Sequence, residues 1–156
     1  MKSRTARDFF SDYAADFDAI YGTKRGAFGR FIDHTLRASM RLRFEQTMAR
    51  CTPIEGARVI DIGCGPGHFS VALAHAGAQR VIGLDVSDQM LEIARAHAKT
   101  HDVSEKIDWI EGDASVYRPE TDMDFTIVMG VMDYIEDPTP FIQHLLSYTK
   151  GRLLFS

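Results

Sequence analysis

The sequence predicts an α/β fold, a doubly wound and mainly parallel sheet with helices on both faces. Three observations predict it. From Arg58 onward, short apolar runs alternate with stretches of helical periodicity. The first run ends in a glycine-rich loop, Gly63-Cys64-Gly65-Pro66-Gly67. An aspartate stands at the end of each of the first three runs: Asp61, Asp85 and Asp113.

The elements follow in order. Phe9, Phe10, Tyr13 and Phe17 lie three or four apart, so Thr5 to Ile20 reads as a helix with one aromatic face. A loop follows at Tyr21-Gly22-Thr23. Phe28, Phe31, Ile32, Leu36, Met40, Phe44 and Met48 mark a second, long amphipathic helix. It ends near Cys51-Thr52-Pro53, because proline cannot continue a helix.

Val59 to Ile62 reads as a buried strand, with a helix from His68 to Ala76 after the loop. Val81 to Asp85 is the second strand. Ser87 is the expected N-cap of a helix from Asp88 to about Lys99. Ile107 to Glu111 and Phe125 to Met129 are the third and fourth strands. Thr139-Pro140 is read as cap and first residue of a helix running to about Thr149. Gly151 is expected to stop that helix, and Leu153-Leu154-Phe155 to begin a fifth strand.

Bulk properties narrow the function. The chain has 156 residues, 45% hydrophobic and 26% charged, which suits one soluble globular unit. Two cysteines, Cys51 and Cys64, make no disulfide framework and no zinc pattern, and the six histidines are scattered, so no metal site is expected. Met1 to Ser11 has no apolar core segment, so no secretory signal is read, no run is long enough to span a membrane, and the expected location is cytoplasmic.

The net charge of −4 argues against nucleic acid as a partner. Charge is uneven, however. Lys24 to Arg50 holds seven basic and two acidic residues, a net of +5, which leaves −9 on the remainder. A solvated helix face explains this plainly; attraction of an anionic small-molecule substrate, partner or membrane surface is the functional alternative.

In a parallel α/β sheet, ligands bind outside the carboxyl ends of the strands. Glycines there permit positive φ and close approach of a ligand to the backbone. A dinucleotide fingerprint needs glycine at position 68, where this chain has His68. Asp61 before the loop would repel a pyrophosphate and suits a ligand with an ammonium or sulfonium group. Asp85, eighteen residues past Gly67, can accept both ribose hydroxyls. Asp113 can accept from an adenine amino group.

With these residues the chain resembles the Rossmann-like (class I) S-adenosylmethionine-dependent methyltransferases. The resemblance runs from Arg58 to Ser156. It rests on Val59-Ile60-Asp61-Ile62-Gly63-Cys64-Gly65-Pro66-Gly67, Val81 to Ser87, Met90-Leu91, Glu111-Gly112-Asp113-Ala114 and Asp124 to Met129. It implies S-adenosylmethionine as cofactor, with S-adenosylhomocysteine as product. The Gly63, Cys64, Gly65 and Gly67 stretch would receive the methionine part, with Asp61 toward its amino group. Asp85 would bind the ribose, Val86 and Met90 would flank the adenine, and Asp113 with Ala114 would meet its edge. Met129 would lie near the reacting methyl. Asp133 and Tyr134 are the catalytic candidates on the substrate side.

The resemblance divides the chain into 1–55, a helical lid or substrate segment with Tyr13 and Tyr21 toward the cofactor, and 56–156, the cofactor domain. It implies that the terminal strands of the family are missing. The last strand is then a bare sheet edge, a route to self-association. The expected activity is methyl transfer to a small molecule at oxygen. A non-catalytic or incomplete cofactor-binding module and an NAD-type oxidoreductase are the alternatives.

Overall fold

The computed structural model describes the backbone from residue 27 onward and side chains from residue 39 onward. The expected helix at Thr5 to Ile20, with Tyr13 and Tyr21, lies outside the described residues. The chain forms two compact units, Met1–Arg50 and Cys51–Ser156.

In the first unit, helix α1 spans Ala27–Arg50. Within its last turns Phe44 and Thr47 are buried between exposed neighbours, which is the three-residue spacing of one helical face. The Thr47 hydroxyl donates to the Arg43 carbonyl one turn back, at 2.8 Å.

The second unit holds five strands: β1 (Arg58–Ile62), β2 (Arg80–Asp85), β3 (Ile107–Glu111), β4 (Met123–Val128) and β5 (Thr149–Phe155). Helices α2 (His68–His75), α3 (Asp88–Thr100) and α4 (Pro138–Leu146) connect them. Every pairing is parallel, in the order β3-β2-β1-β4-β5. The order reverses between β1 and β4, so the switch point lies where the glycine-rich loop leaves β1. This is the doubly wound fold expected from the sequence.

Strand alternation sorts the core. Ile60, Ile62, Leu84 and Val128 share one face and cluster with Met123, Phe141, Leu145 and Tyr148. On the other, Asp61 reaches Ser70 of α2, and the Trp109 ring lies over Gly83. β1 is buried on both faces from Val59 to Ile62, which explains its continuous apolar run.

Several boundaries differ from the sequence reading: β4 opens at Met123 rather than Phe125, and β5 at Thr149 rather than Leu153. Helix α4 opens two residues earlier. Its cap is Asp137, whose carboxylate accepts from Thr139 N–H at 3.0 Å, with Pro138 in the first turn. Asp-x-Thr-Pro thus offers two caps, and the charged one wins. Gly151 does not stop that helix, which ends at Leu146; it lies inside β5, at a register irregularity opposite Met123 to Phe125. A Cβ at Gly151 would run into the Asp124 carbonyl oxygen. The glycine is needed for close backbone approach, not for a turn.

Candidate functional site

The site is built at the carboxyl ends of the strands. As β1 ends, Gly63 and Cys64 both donate their N–H groups to the Leu84 carbonyl, at 2.8 and 3.0 Å. The loop is thereby tied to β2. Gly63, Gly65 and Gly67 all have positive φ, at 65°, 51° and 78°. Their surroundings differ. A Cβ on Gly63 would strike the Val131 side chain, and one on Gly67 would lie 2.5 Å from the Trp109 ring and 2.9 Å from Ala94. A Cβ on Gly65 would meet nothing within 4 Å. Gly63 and Gly67 are closed by packing, whereas Gly65 faces open space where a ligand can reach the backbone.

Asp85 borders that opening. Its Oδ2 accepts from Gly65 N–H at 2.8 Å and its Oδ1 from Ser87 N–H at 2.9 Å. One carboxylate thus joins the loop after β1 to the turn after β2. Each oxygen keeps acceptor capacity, since an ionised carboxylate offers about four lone-pair directions. Ser87 caps α3, accepting from Met90 N–H at 3.4 Å.

Asp61 lies beneath the loop, 2% exposed, and accepts from the Ser70 hydroxyl at 2.6 Å. Burial pushes its carboxyl up to about 7; the Ser70 hydrogen bonds pull it down and the Asp85 charge adds to the rise. The folded chain therefore keeps this proton up to about pH 7, whereas the unfolded chain releases it near 3.8. Between those values the native state binds more protons, so stability falls as pH rises and levels off above about 7. Thermal midpoints of the ligand-free chain are expected to decline from pH 5 to 8. Asp61→Asn is expected to flatten that decline; an unchanged slope in the variant would exclude Asp61 as its source.

The remaining candidates are distributed as follows. Cys64 is buried, its Sγ points toward the Gly65 carbonyl, and burial raises its thiol far out of the reactive range. Val86 is 72% exposed, although apolar, immediately after Asp85. Met90 is half-buried on the first turn of α3. Asp113 is fully exposed; its Oδ1 accepts from Ser115 N–H at 2.8 Å, and the Ser115 hydrogen bonds hold its carboxyl below the usual range. Ala114 is half-buried against the core. Met129 is half-buried after β4, and its sulfur accepts from the Ser156 hydroxyl at 3.4 Å.

Asp133 and Tyr134 sit on a short 3₁₀ turn, Met132–Tyr134. Both are exposed, Tyr134 by 85%. They are held near the loop indirectly, because Val131 of the same segment packs onto Gly63. Asp85 and Gly65 are joined by a hydrogen bond, whereas Asp113, Asp133 and Tyr134 stand exposed in the segments that follow β3 and β4. Ser70 and Val131 were not singled out from the sequence. A serine at the third position past Gly67 carries no spacing signal, and Val131 becomes informative only through Gly63.

A cavity of about 330 Å³ opens elsewhere, around Arg58, Arg80, Asp108 and Tyr117 toward the amino ends of the strands. Its Arg80 is held by Asp108, and Arg58 and Glu120 complete its charged lining. Among the described residues, no cluster of three or more His, Cys, Asp or Glu could hold a metal ion, and no helix is long and apolar enough to cross a membrane.

The profile of the methyltransferase domain family matches residues 59–151, which takes in every strand-end feature described above. The chain belongs to this family. Its methyltransferase relatives include the ubiquinone biosynthesis O-methyltransferase of Vibrio cholerae, 30% identical over 119 residues, covering 74% of this chain and 47% of that protein. The corresponding protein of Shewanella pealeana is 35% identical over 107 residues, covering 66% and 44%. The chain spans about half the length of the curated relatives it matches. Among solved methyltransferase structures, the magnesium protoporphyrin IX methyltransferase of Synechocystis PCC 6803, with bound S-adenosylhomocysteine, superposes with a TM-score of 0.73 at 27% identity. The match covers 95% of this chain and 68% of that one. A methyltransferase of Thiobacillus denitrificans, in complex with S-adenosylhomocysteine, shares the fold with a TM-score of 0.66.

Proposed function

We propose that this chain is an S-adenosylmethionine-dependent methyltransferase that methylates a small molecule at oxygen by in-line transfer. One observation carries the reading: the Asp85 carboxylate, fixed between Gly65 N–H and Ser87 N–H, stands beside a glycine whose side-chain position is open. That arrangement fits a ribose against a closely approached backbone. An ammonium group beside the buried Asp61 would draw its carboxyl into the ionised form, whereas a pyrophosphate would gain nothing from it protonated and be repelled by it ionised, which disfavours NAD.

Bound S-adenosylmethionine supplies a methyl group on a positively charged sulfur, a leaving group already activated. The chain's residues then have to bind, align and exclude water. Asp85 would hold the ribose, with Val86 and Met90 flanking the adenine and Asp113 and Ala114 at its edge. Exposure of Val86 supports this, since an apolar side chain left in solvent beside Asp85 gains by being covered. Asp61 would face the amino group, and Gly63, Cys64, Gly65 and Gly67 the methionine part. Met129, Asp133 and Tyr134 would border the acceptor, where the exposed Asp133 carboxylate can take an acceptor proton and the Tyr134 hydroxyl can hydrogen-bond to the acceptor. The basic Lys24 to Arg50 segment would favour an anionic acceptor.

Oxygen as the target is supported by relatives named for O-methylation. The test is turnover of S-adenosylmethionine with phenolic and carboxylate acceptors beside amine acceptors, reading S-adenosylhomocysteine by mass spectrometry. Product with the oxygen acceptors is expected. Product only with amines would overturn the oxygen assignment, and cofactor binding without turnover would favour a non-catalytic module.

A further inference from the structure

The glycine-rich loop is braced from behind by α3. Ala94 and His97, three residues apart, share one face of that helix, and His101 is its C-cap. Ala94 closes over Gly67. One turn later, His97 Nδ1 lies 3.3 Å from the Pro66 carbonyl oxygen, at the centre of the loop. A carbonyl oxygen only accepts, so the nitrogen must donate, and His97 carries its proton on Nδ1. The ring is held edge-on between two others: His68 at 4.7 Å between centroids and His101 at 4.8 Å. His68 opens α2 directly after Gly67, and burial keeps it neutral, its pKa lowered to about 3.

The same helix carries Ser87 at its cap, tied to Asp85. Helix α3 therefore touches both halves of the site, through Asp85 at its start and through Pro66 in its third turn. Both attachments act on the segment containing Gly65, whose N–H points at Asp85. Without the Pro66 attachment, the loop keeps the Gly67 N–H to Cys64 carbonyl bond, at 2.9 Å, and the ties to Leu84. Its free apex would then be restrained from one side only.

We propose that His97 is a positioning residue for the cofactor loop: by donating Nδ1–H to the Pro66 carbonyl it holds Gly65 in the conformation that receives the ligand. The proposal rests on the reading of this loop as the cofactor site. Three variants separate donation from packing. His97→Asn places an N–H donor on the same Cγ branch, His97→Phe keeps a ring between His68 and His101 without a donor, and His97→Ala removes both. Calorimetry with S-adenosylhomocysteine is expected to give about tenfold weaker binding for the Phe and Ala variants, the worth of one hydrogen bond. The Asn variant is expected to bind within about threefold of the parent.

Amide exchange supplies a readout independent of the cofactor. In the ligand-free chain, exchange at Gly67 N–H is expected to accelerate about tenfold in His97→Phe and His97→Ala and to return toward the parent rate in His97→Asn. Parent-like binding and exchange in His97→Phe would overturn the proposal, as would an Asn variant as impaired as the Ala variant. If the parent chain fails to bind S-adenosylhomocysteine, the cofactor reading falls, and the exchange pattern alone decides the role of His97.

Discussion

Replacing Asp85 with alanine is expected to weaken S-adenosylmethionine binding by about 100-fold or more. In the proposed site the carboxylate would accept from two ribose hydroxyls, and charge-assisted hydrogen bonds are worth about 1.5–3 kcal/mol each. Two of them convert to roughly 100-fold or more in affinity. The same substitution frees Gly65 and Ser87 N–H groups from their shared acceptor, so the loop loses its side-chain tie to the end of β2 and keeps the backbone ties to the Leu84 carbonyl. Asparagine at position 85 separates these effects. It keeps one acceptor oxygen, but its amide nitrogen would face either Gly65 N–H or Ser87 N–H, donor against donor. Binding by Asp85→Asn is expected to fall between the parent and Asp85→Ala, with a modest loss of thermal midpoint. Titration calorimetry with S-adenosylhomocysteine checks the affinities. Equal affinity in all three proteins would remove Asp85 from the site.

Gly67→Ala is expected to be more destabilising than the same change at Gly65. The Gly67 φ of 78° belongs to the left-handed region, which costs a non-glycine residue roughly 1–2 kcal/mol. The added Cβ would also press on Trp109 and Ala94, and overpacking of this kind costs about 1–3 kcal/mol. The two together approach about 2–5 kcal/mol, a large share of the ~5–15 kcal/mol that holds a typical domain. Loss of roughly 10 °C in thermal midpoint is expected. Gly65→Ala makes the contrast. Its φ is also positive, but nothing lies within 4 Å of the new Cβ. It is expected to lose about 1–2 kcal/mol of stability and considerably more in ligand affinity, because the methyl enters the space assigned to the ligand. Differential scanning fluorimetry with and without S-adenosylhomocysteine reads both. If Gly65→Ala lost more stability than Gly67→Ala, the open and closed sides of the loop would be wrongly assigned.

These contrasts show what kind of information the sequence carries. The strands and the loop were legible because their signals are local: apolar run, glycine cluster, acid at the strand end. Ser87 was legible as a cap for the same reason, since an N-cap acts within three residues. Gly151 was not. Its role depends on the Asp124 carbonyl of the neighbouring strand, and from sequence a glycine after a helix reads as a stop. Asp137 and Thr139 compete for the same cap within three residues, and only the observed bond to Thr139 N–H decides between them. The His97 to Pro66 attachment spans 31 residues, and a lone histidine on a helix gives no hint of it. The three glycines look equivalent in sequence; what stands against each one separates structural from ligand-facing positions.

The central claim, that the Asp85–Gly65 edge receives S-adenosylmethionine, is tested most directly by calorimetry of the whole chain. S-adenosylmethionine, S-adenosylhomocysteine and NAD are titrated in turn, with Asp85→Ala alongside. The account predicts one-to-one binding of the first two, lost in Asp85→Ala, and no binding of NAD. Binding of NAD, or S-adenosylmethionine binding that survives in Asp85→Ala, would contradict it.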